Sequence, residues 1–366
     1  MLYYISEFDI YWGPLRLFQY VTFRAGGAFF TAFLISLLLG PFTVQLLKKL
    51  QATAPSRLKG LIPEEYIDIN KDKTPSMGGI LIIFSILLSS FLWSIPSNEM
   101  LWLFSSLLFS LGAIGFLDDY VKVALKKREG ISASLKFSLQ VLISMLAVYF
   151  LDIMPSTGDL LRNLYLPFLK NPIISHLPLV FVLIFGSLVV VGSSNAVNLT
   201  DGKDGLAAGC SIFCSLAYAV FAYLCGHKIF ASYLNIPFIP GASEVVVFAM
   251  AICGACIGFL WFNCHPAAMF MGDTGSLALG GSIGLIAVLV RQEINLIIIG
   301  AVFVIEALSV IIQVTSFKLT GKRIFLCSPL HHHFERKGWT ETQIVVRFWI
   351  IAGIFAILGI ASLKIR

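Results

Sequence analysis

Five aspartates and a run of three histidines lie in polar segments between long apolar stretches of this chain. The acids occur in GFLDDYVK, NLTDGKDG and FMGDTGS and the histidines in PLHHHFERKGW; in chain order they are Asp118, Asp119, Asp201, Asp204, Asp273, His331, His332 and His333. Ionisable groups beside an apolar slab are costly and commonly mark a functional site. Carboxylates accompanied by lysines and histidines predict a metal-assisted phosphate site at a membrane surface.

The paired aspartates come at the end of an apolar run, and Lys122 follows them by one helical turn. Neighbouring residues on a helix point about 100° apart, so we expect Asp118 and Asp119 to face different ways and to have different roles. Such pairs commonly hold Mg²⁺, a hard cation that takes oxygen ligands and bridges to substrate phosphate. A helix end flanked by solvated charge explains the pair equally well.

The segment NAVNLTDGKDGL crowds Asn195, Asn198, Asp201 and Asp204 into one short polar stretch. Gly202 permits close backbone approach, and the helix that follows offers free N–H groups at its start. The segment therefore predicts an anion-binding loop. The alternative is an ordinary turn in which an aspartate caps the next helix.

Two other motifs give weaker signals. Asp273 follows a loop that contains Asn263, and we interpret it as a metal ligand, with a helix cap as the alternative. Consecutive histidines lack the i, i+4 spacing of a helical zinc site. We interpret them as donors to a phosphate or sugar, with a structural hinge as the alternative.

Three further polar residues stand close to apolar stretches. KDKTPSMGG places Lys71 and Ser76 beside two glycines, which is compatible with a simple cap of the following span. Glu306 is the acid that lies deepest within an apolar stretch. A structural partner inside the helix bundle and a role in the site are both open for it.

The composition indicates an all-α polytopic membrane protein. Of 366 residues, 58% are hydrophobic and 13% charged, and the mean hydropathy is +0.88. A membrane span needs about 20 mostly apolar residues. Ten stretches meet this condition and predict about ten transmembrane helices within a single domain, residues 1–366. The predicted spans are 20–48, 76–95, 100–120, 134–152, 174–193, 205–226, 243–263, 269–290, 295–317 and 344–364.

The positive charges predict the orientation of these spans. Most of the 26 Lys and Arg residues fall in the connections that also carry the motifs. Positive loops stay in the cytoplasm, so the motifs are expected on the cytoplasmic face and both termini outside, in the periplasm. The net charge of +6 follows this topology beside an anionic leaflet. Membrane lipid and an anionic substrate, not nucleic acid, are therefore the expected partners.

Together these strings resemble the phospho-N-acetylmuramoyl-pentapeptide transferases, the bacterial translocases of peptidoglycan synthesis, over nearly the whole chain. The paired Asp, the NLTDG loop and the later Asp are shared with the wider superfamily of polyprenyl-phosphate N-acetylhexosamine-1-phosphate transferases, whereas PLHHHFE followed by KGW favours the muramoyl branch. The resemblance implies a ten-helix homodimer in the bacterial inner membrane, with its active-site cleft on the cytoplasmic face. It implies transfer of phospho-N-acetylmuramoyl-pentapeptide from UDP-N-acetylmuramoyl-pentapeptide to undecaprenyl phosphate, with release of UMP.

The resemblance also implies roles for the motif residues. Catalysis would fall to Asp118, Asp119 and Asp273, with Asp273 as the ligand of Mg²⁺. Substrate binding would fall to the other polar motif residues: Lys71, Ser76, Lys122, Lys136, Asn195, Asn198, Asp201, Gly202, Asp204, Asn263, His331, His332 and His333. Three positions depart from the usual family pattern: Lys73 stands where a glycine is usual, Ser76 replaces a threonine but keeps the hydroxyl, and Lys203 places a cation beside the nucleotide loop.

Three alternatives remain at this stage. A sibling transferase would pass N-acetylglucosamine-1-phosphate to the same lipid and should lack PLHHHFE. A transporter would carry acids at mid-membrane in broken helices, where only Glu306 qualifies. A non-catalytic membrane scaffold would tolerate single Asp substitutions. For a transferase, direct attack by the lipid phosphate is favoured over a carboxylate nucleophile, because the acceptor phosphate is already largely a dianion at neutral pH.

Overall fold

The computed structural model describes residues 1–50, 52, 74–125 and 130–364. Within these residues the regular structure is helical, apart from one isolated β-bridge between Leu164 and Ile174. Two short 3₁₀ helices, Leu2–Phe8 and Gly13–Gln19, precede the α-helices.

The α-helices, in chain order, are α1 Val21–Lys49, α2 Gly79–Trp93, α3 Glu99–Leu125, α4 Ala133–Ile153, α5 Gly158–Leu161, α6 Leu179–Thr200, α7 Leu206–Cys225, α8 Lys228–Leu234, α9 Ser243–Asn263, α10 Gly272–Leu289, α11 Leu296–Ile299, α12 Ala301–Thr320, α13 Leu330–Arg336 and α14 Glu341–Ala361.

Nine helices of the described chain are long and apolar enough to cross a membrane: α1, α3, α4, α6, α7, α9, α10, α12 and α14. The predicted all-helical membrane fold is thereby confirmed. The predicted span 76–95 forms α2, which is apolar but has only 15 residues. The predicted span 295–317 is divided at Gly300 into the single turn α11 and the long helix α12. The orientation of the termini stays a prediction.

Helix α10 forms the centre of the bundle, and its residues from Asp273 to Leu289 are all buried. It packs against α3 and α6, with α2 and α7 also in contact. Small residues permit this close approach, as is typical of helix packing in membranes. Gly280, for example, lies against the backbone of α6 at Ser193 and Ser194. The packing brings the first turn of α10 between the ends of α3 and α6.

A buried ion pair ties α1 to α9. The guanidinium of Arg24 donates two hydrogen bonds of 2.6 Å to the two carboxylate oxygens of Glu244. The backbone N–H of Ile95 donates a third, 2.9 Å long, to the same carboxylate. Both charged side chains are buried, so each depends on the other for compensation of its charge.

Candidate active site

Three aspartates meet where the end of α3 faces the start of α10. One oxygen each of Asp118, Asp119 and Asp273 lies within 4.8 Å of the others, and all three residues are at most 5% exposed. The expectation that Asp118 and Asp119 face different ways is compatible with their contacts: Asp118 Oδ2 lies near Lys136, whereas Asp119 Oδ2 accepts from Thr274. A cluster of three buried carboxylates could bind a metal ion.

Two lysines hold these acids together. The ammonium of Lys122 lies 2.5 Å from Asp118 Oδ2 and 2.8 Å from Asp273 Oδ2. Lys136, at the start of α4, lies 2.6 Å from Asp273 Oδ2 and 3.4 Å from Asp118 Oδ2. Both cations therefore bridge the carboxylates of α3 and α10. With three carboxylates against two ammonium groups, the cluster keeps one excess negative charge.

Asp119 is fixed by the first turn of α10. Its Oδ2 accepts hydrogen bonds from the backbone N–H of Thr274 at 3.0 Å and from the Thr274 hydroxyl at 2.8 Å. Gly272 begins this turn with φ +74°, a conformation that favours glycine. A Cβ there would lie 2.5 Å from Asp119 Oδ2 and 2.9 Å from the hydroxyl oxygen of Ser76. Ser76 and Asp119 thus flank the same glycine.

Helix α6 continues to Thr200, so Asn195 and Asn198 are helical and do not belong to the loop in which the sequence analysis placed them. Asn198 Nδ2 donates to Asp273 Oδ1 at 2.8 Å and to the hydroxyl of Ser276 at 2.9 Å. Asn195 instead donates to Gln140 of α4 at 2.7 Å. Of these two asparagines, Asn198 is therefore the one that contacts the acid cluster directly.

The turn 201–205 between α6 and α7 is held from two sides. Asp204 Oδ2 lies 3.0 Å from His265 Nδ1 and accepts from the backbone N–H of Ala267 at 3.2 Å. The backbone N–H of Asp204 donates to Glu341 at 2.9 Å. Asp204, His265 and Glu341 also offer ligand atoms within 4.8 Å of one another.

Asn263 supports this turn from the end of α9. Its Oδ1 accepts from the backbone N–H of Gly205 at 3.0 Å, and its Nδ2 donates to the carbonyl of Met269 at 2.9 Å. It is buried, and both polar groups of its side chain are used in these contacts. The residue connects the turn to the segment that leads into α10.

Lys203 is an ion-pair partner of Glu335. Its ammonium contacts the Glu335 carboxylate and lies 4.0 Å from Glu341. Burial raises the pKa of Glu335, but hydrogen bonds from His332 and Lys203 outweigh it and hold that pKa at about 2. The Lys203 charge is thus directed toward α13 and α14.

The three histidines lie on the short helix α13 and differ in their surroundings. His331 is fully buried, and its ring Nδ1 lies 3.2 Å from Glu306 Oε2 on α12. His332 Nδ1 lies 3.0 Å from Glu335. His333 Nδ1 accepts a hydrogen bond of 3.1 Å from the backbone N–H of Leu326. Burial lowers the pKa of His331, although the contact with Glu306 opposes this effect. Burial and the positive charge of Lys337 both lower the pKa of His333.

Most predicted site residues are brought together at this end of the bundle. Asp118, Asp119, Asp273, Lys122, Lys136 and Asn198 form the acid cluster, while Ser76 lies beside it and residues 201–205 follow directly from α6. Asp201 is the C-cap of α6 and half-buried. Lys71 lies outside the described residues.

Several partners of these residues were not among the residues predicted from the sequence. Thr274 binds Asp119, Glu341 holds the 201–205 turn, and Glu335 pairs with Lys203. Thr274 follows Asp273 in FMGDTGS, so its position in the motif was a usable signal. Glu341 is the first residue of α14, and no local pattern in the sequence indicates its contact with the turn. The tertiary fold brings the two together.

Comparison with known proteins finds relatives that match the whole chain. A family model described as Glycosyl transferase family 4 matches residues 100–291, and Phospho-N-acetylmuramoyl-pentapeptide-transferase signature 1 matches residues 71–83. A phospho-N-acetylmuramoyl-pentapeptide-transferase of Methylacidiphilum infernorum is 49% identical over 368 residues, covering 100% of both chains. Proteins of the same name from Neisseria meningitidis and Desulfotalea psychrophila are 45% and 46% identical, covering 100% and 96% of each chain.

Proposed function

The chain belongs to the phospho-N-acetylmuramoyl-pentapeptide-transferase family, and we propose that it moves phospho-N-acetylmuramoyl-pentapeptide from UDP-N-acetylmuramoyl-pentapeptide to undecaprenyl phosphate. The products are lipid I and UMP. The observation that carries this proposal is the cluster of Asp118, Asp119 and Asp273 with two bridging lysines at one end of a membrane bundle. A lipid acceptor and a water-soluble donor can meet at such a boundary. We place this face in the cytoplasm of a bacterial inner-membrane protein.

We propose Mg²⁺ as the metal of the acid cluster. Oxygen ligands from carboxylates suit this hard cation, and the excess negative charge of the cluster favours a divalent ion. Asp273 is the preferred ligand, because it stands between the two acids of α3 and the end of α6. When bound, Mg²⁺ would neutralise charge on the phosphates during transfer. The lysines are the competing partners of the same carboxylate oxygens in the absence of metal.

The residues around the cluster position the two phosphate groups. Phosphoryl transfer depends mainly on in-line placement and on stabilisation of negative charge. Lys122 and Lys136 supply two ammonium groups that are already oriented by Asp118 and Asp273. Asn198 fixes the Asp273 carboxylate from α6. We assign these lysines to the phosphates of the donor and acceptor.

The reaction needs little general-base help. A phosphate monoester has a second pKa near about 6, so the acceptor is mostly a dianion at neutral pH. Its oxygen attacks the phosphorus that carries the sugar, a new P–O bond forms, and the bond to UMP breaks. Asp118 orients the acceptor or removes its remaining proton. In the rival mechanism a carboxylate attacks first and forms a covalent intermediate with release of UMP.

The two mechanisms predict different results for UMP exchange when the lipid acceptor is absent. A covalent intermediate would exchange radiolabelled UMP into the UDP-linked donor when undecaprenyl phosphate is absent. Direct transfer predicts no exchange without lipid. It predicts full exchange only when undecaprenyl phosphate and lipid I are both present. Exchange in the absence of lipid would overturn direct attack.

We assign the donor nucleotide to the region around residues 198–205. Asn198 joins this region to the acid cluster, and Asp201 and Gly202 continue from the same helix end. Asp204 and Asn263 shape the turn through the contacts described above. Lys71 and Ser76 are proposed to lie at the uracil and phosphate side. His332 and His333 are proposed to face the sugar or pyrophosphate.

Release of UMP by purified protein tests the proposed function. The assay supplies UDP-N-acetylmuramoyl-pentapeptide, undecaprenyl phosphate and Mg²⁺, with each omitted in turn. We expect release only when both substrates are present. A parallel reaction with UDP-N-acetylglucosamine tests the sibling activity, and preference for that donor would contradict the proposal. A folded protein that is silent with both donors would also contradict it.

A further inference from the structure

Glu306 forms a two-point contact with the first histidine of α13. Its Oε1 accepts from the backbone N–H of His331 at 3.0 Å, and its Oε2 lies 3.2 Å from the ring Nδ1 of the same residue. Both side chains are at most 1% exposed. The carboxylate of α12 therefore fixes both the backbone and the ring of His331. This contact answers the question that the sequence left open for Glu306.

The contact determines where the ring proton lies. An ionised carboxylate accepts hydrogen bonds only, so Nδ1 must carry the proton that lies between the two groups. Burial lowers the pKa of His331, and the hydrogen bond to Glu306 offsets this only in part, which favours a neutral ring. A neutral ring protonated on Nδ1 has a bare lone pair on Nε2. Nε2 is buried and has no hydrogen-bond partner among the described residues.

The Nε2 edge of His331 faces the nucleotide turn. A Cβ built on Gly202 would lie 2.3 Å from Nε2, closer than real contacts allow. Gly202 is itself exposed on its other side, so its backbone covers the imidazole while bordering the proposed nucleotide region. The fit leaves no room for a methyl group, and a proton on Nε2 would project into the same gap.

We propose that Glu306 is a positioning residue for the donor nucleotide: it holds His331 as the Nδ1-protonated ring, and the bare Nε2 edge of that ring sets the position of Gly202. His331 then acts behind the turn and is not itself a ligand of the sugar. The inference rests on the proposed function, since it assigns the nucleotide to the turn that Gly202 borders. Glu306 thus connects α12 to donor binding without touching the donor.

Glu306→Gln tests the proton position. The glutamine amide has nearly the same volume, but it presents an NH₂ group where the carboxylate accepted. The ring must then accept at Nδ1 and carry its proton on Nε2, toward Gly202, or lose the bond. We expect the KM for UDP-N-acetylmuramoyl-pentapeptide to rise about tenfold, the size of effect expected from one lost hydrogen bond to a charged group. We expect kcat and the KM for undecaprenyl phosphate to change less than about twofold.

Selective ¹⁵N labelling of the six histidines reads the proton position directly. The His331 signals are assigned by their loss in His331→Asn. The proposal requires protonated Nδ1 and bare Nε2 in the wild type, with the two exchanged in Glu306→Gln. This spectrum needs no substrate, so it is informative even if UMP release fails. Glu99→Gln, at an exposed helix start, is the matched control and should change neither the spectrum nor KM.

A double variant provides a second measurement. Gly202→Ala alone should raise the donor KM, because its methyl group meets the His331 ring. His331→Ser removes the ring, so adding Gly202→Ala to it should cause no further rise. Additive effects of the two substitutions would overturn the proposal. So would a wild-type ring protonated on Nε2, or a Glu306→Gln variant with an unchanged donor KM.

Discussion

Thr274→Val removes one hydrogen bond from the acid cluster while keeping the shape of the side chain. The hydroxyl that is lost lies 2.8 Å from Asp119 Oδ2, whereas the backbone donor at 3.0 Å remains. A hydrogen bond to a charged group contributes about 1.5–3 kcal/mol. Since about 1.4 kcal/mol corresponds to a tenfold change, full loss would cost about ten- to a hundredfold. The remaining donor places our expectation at the lower end, about a tenfold fall in kcat/KM.

The assay is UMP release with both substrates at several Mg²⁺ concentrations. Thr274→Ser is the matched control, because it keeps the hydroxyl and should stay much closer to the wild-type rate than Thr274→Val. We expect Thr274→Val to need more Mg²⁺ for half-maximal rate, since Asp119 is less firmly oriented. Equal rates for the valine variant and the wild type would show that the hydroxyl does not orient Asp119. Equal losses in the valine and serine variants would lead to the same conclusion, because the hydroxyl would then be irrelevant.

Three further predictions concern stability, charge and assembly. Arg24→Met leaves the Glu244 carboxylate buried without its cation and should lower the free energy of unfolding by about 3–5 kcal/mol. The double variant Arg24→Met, Glu244→Met should recover most of this lost stability. Thermal unfolding in detergent measures both variants. Lys203→Leu should raise the pKa of Glu335 from about 2 toward its ordinary value of 4.5, as carboxyl NMR would show. In the wild type this depressed pKa stabilises the fold above pH 4.5, and the contribution is lost as the pH falls through about 2; the variant should show a smaller acid-range dependence, because the hydrogen bond from His332 remains. The resemblance to the family predicts a homodimer, so light scattering corrected for detergent should give twice 40.2 kDa, and a monomer mass would contradict it.

Much of the fold could be predicted from the sequence because membrane spans are local features. The length of an apolar run can be counted directly in the sequence, and nine of the predicted stretches contain a spanning helix. Span 76–95 was overestimated because its start, Ser76 to Gly78, lies outside the helix and hydrogen-bonds to other segments, so α2 begins only at Gly79. The predicted span 295–317 was also too long, because the chain breaks at Gly300 and the long helix α12 begins only at Ala301.

The site was predictable in its members but not in its contacts. The acids could be identified by their rarity near apolar stretches, yet the convergence of Asp118 and Asp119 with Asp273 joins two helices that lie far apart in the sequence. It depends on how closely α10 packs against α3, which no local pattern encodes. The pairing of Glu306 with His331 likewise joins two elements through the tertiary fold. Hydropathy identified Glu306 as unusual but could not identify its partner.

The proposed metal-assisted transfer is tested most directly by comparing wild type with Asp273→Asn in Mg²⁺-dependent UMP release. Asp273 contacts Lys122, Lys136 and Asn198, and its asparagine variant keeps the size of the side chain while removing its charge. We predict that EDTA abolishes wild-type release, that added Mg²⁺ restores it, and that folded Asp273→Asn stays inactive at all Mg²⁺ concentrations. Wild-type rates in Asp273→Asn, or release that persists in EDTA, would contradict the account.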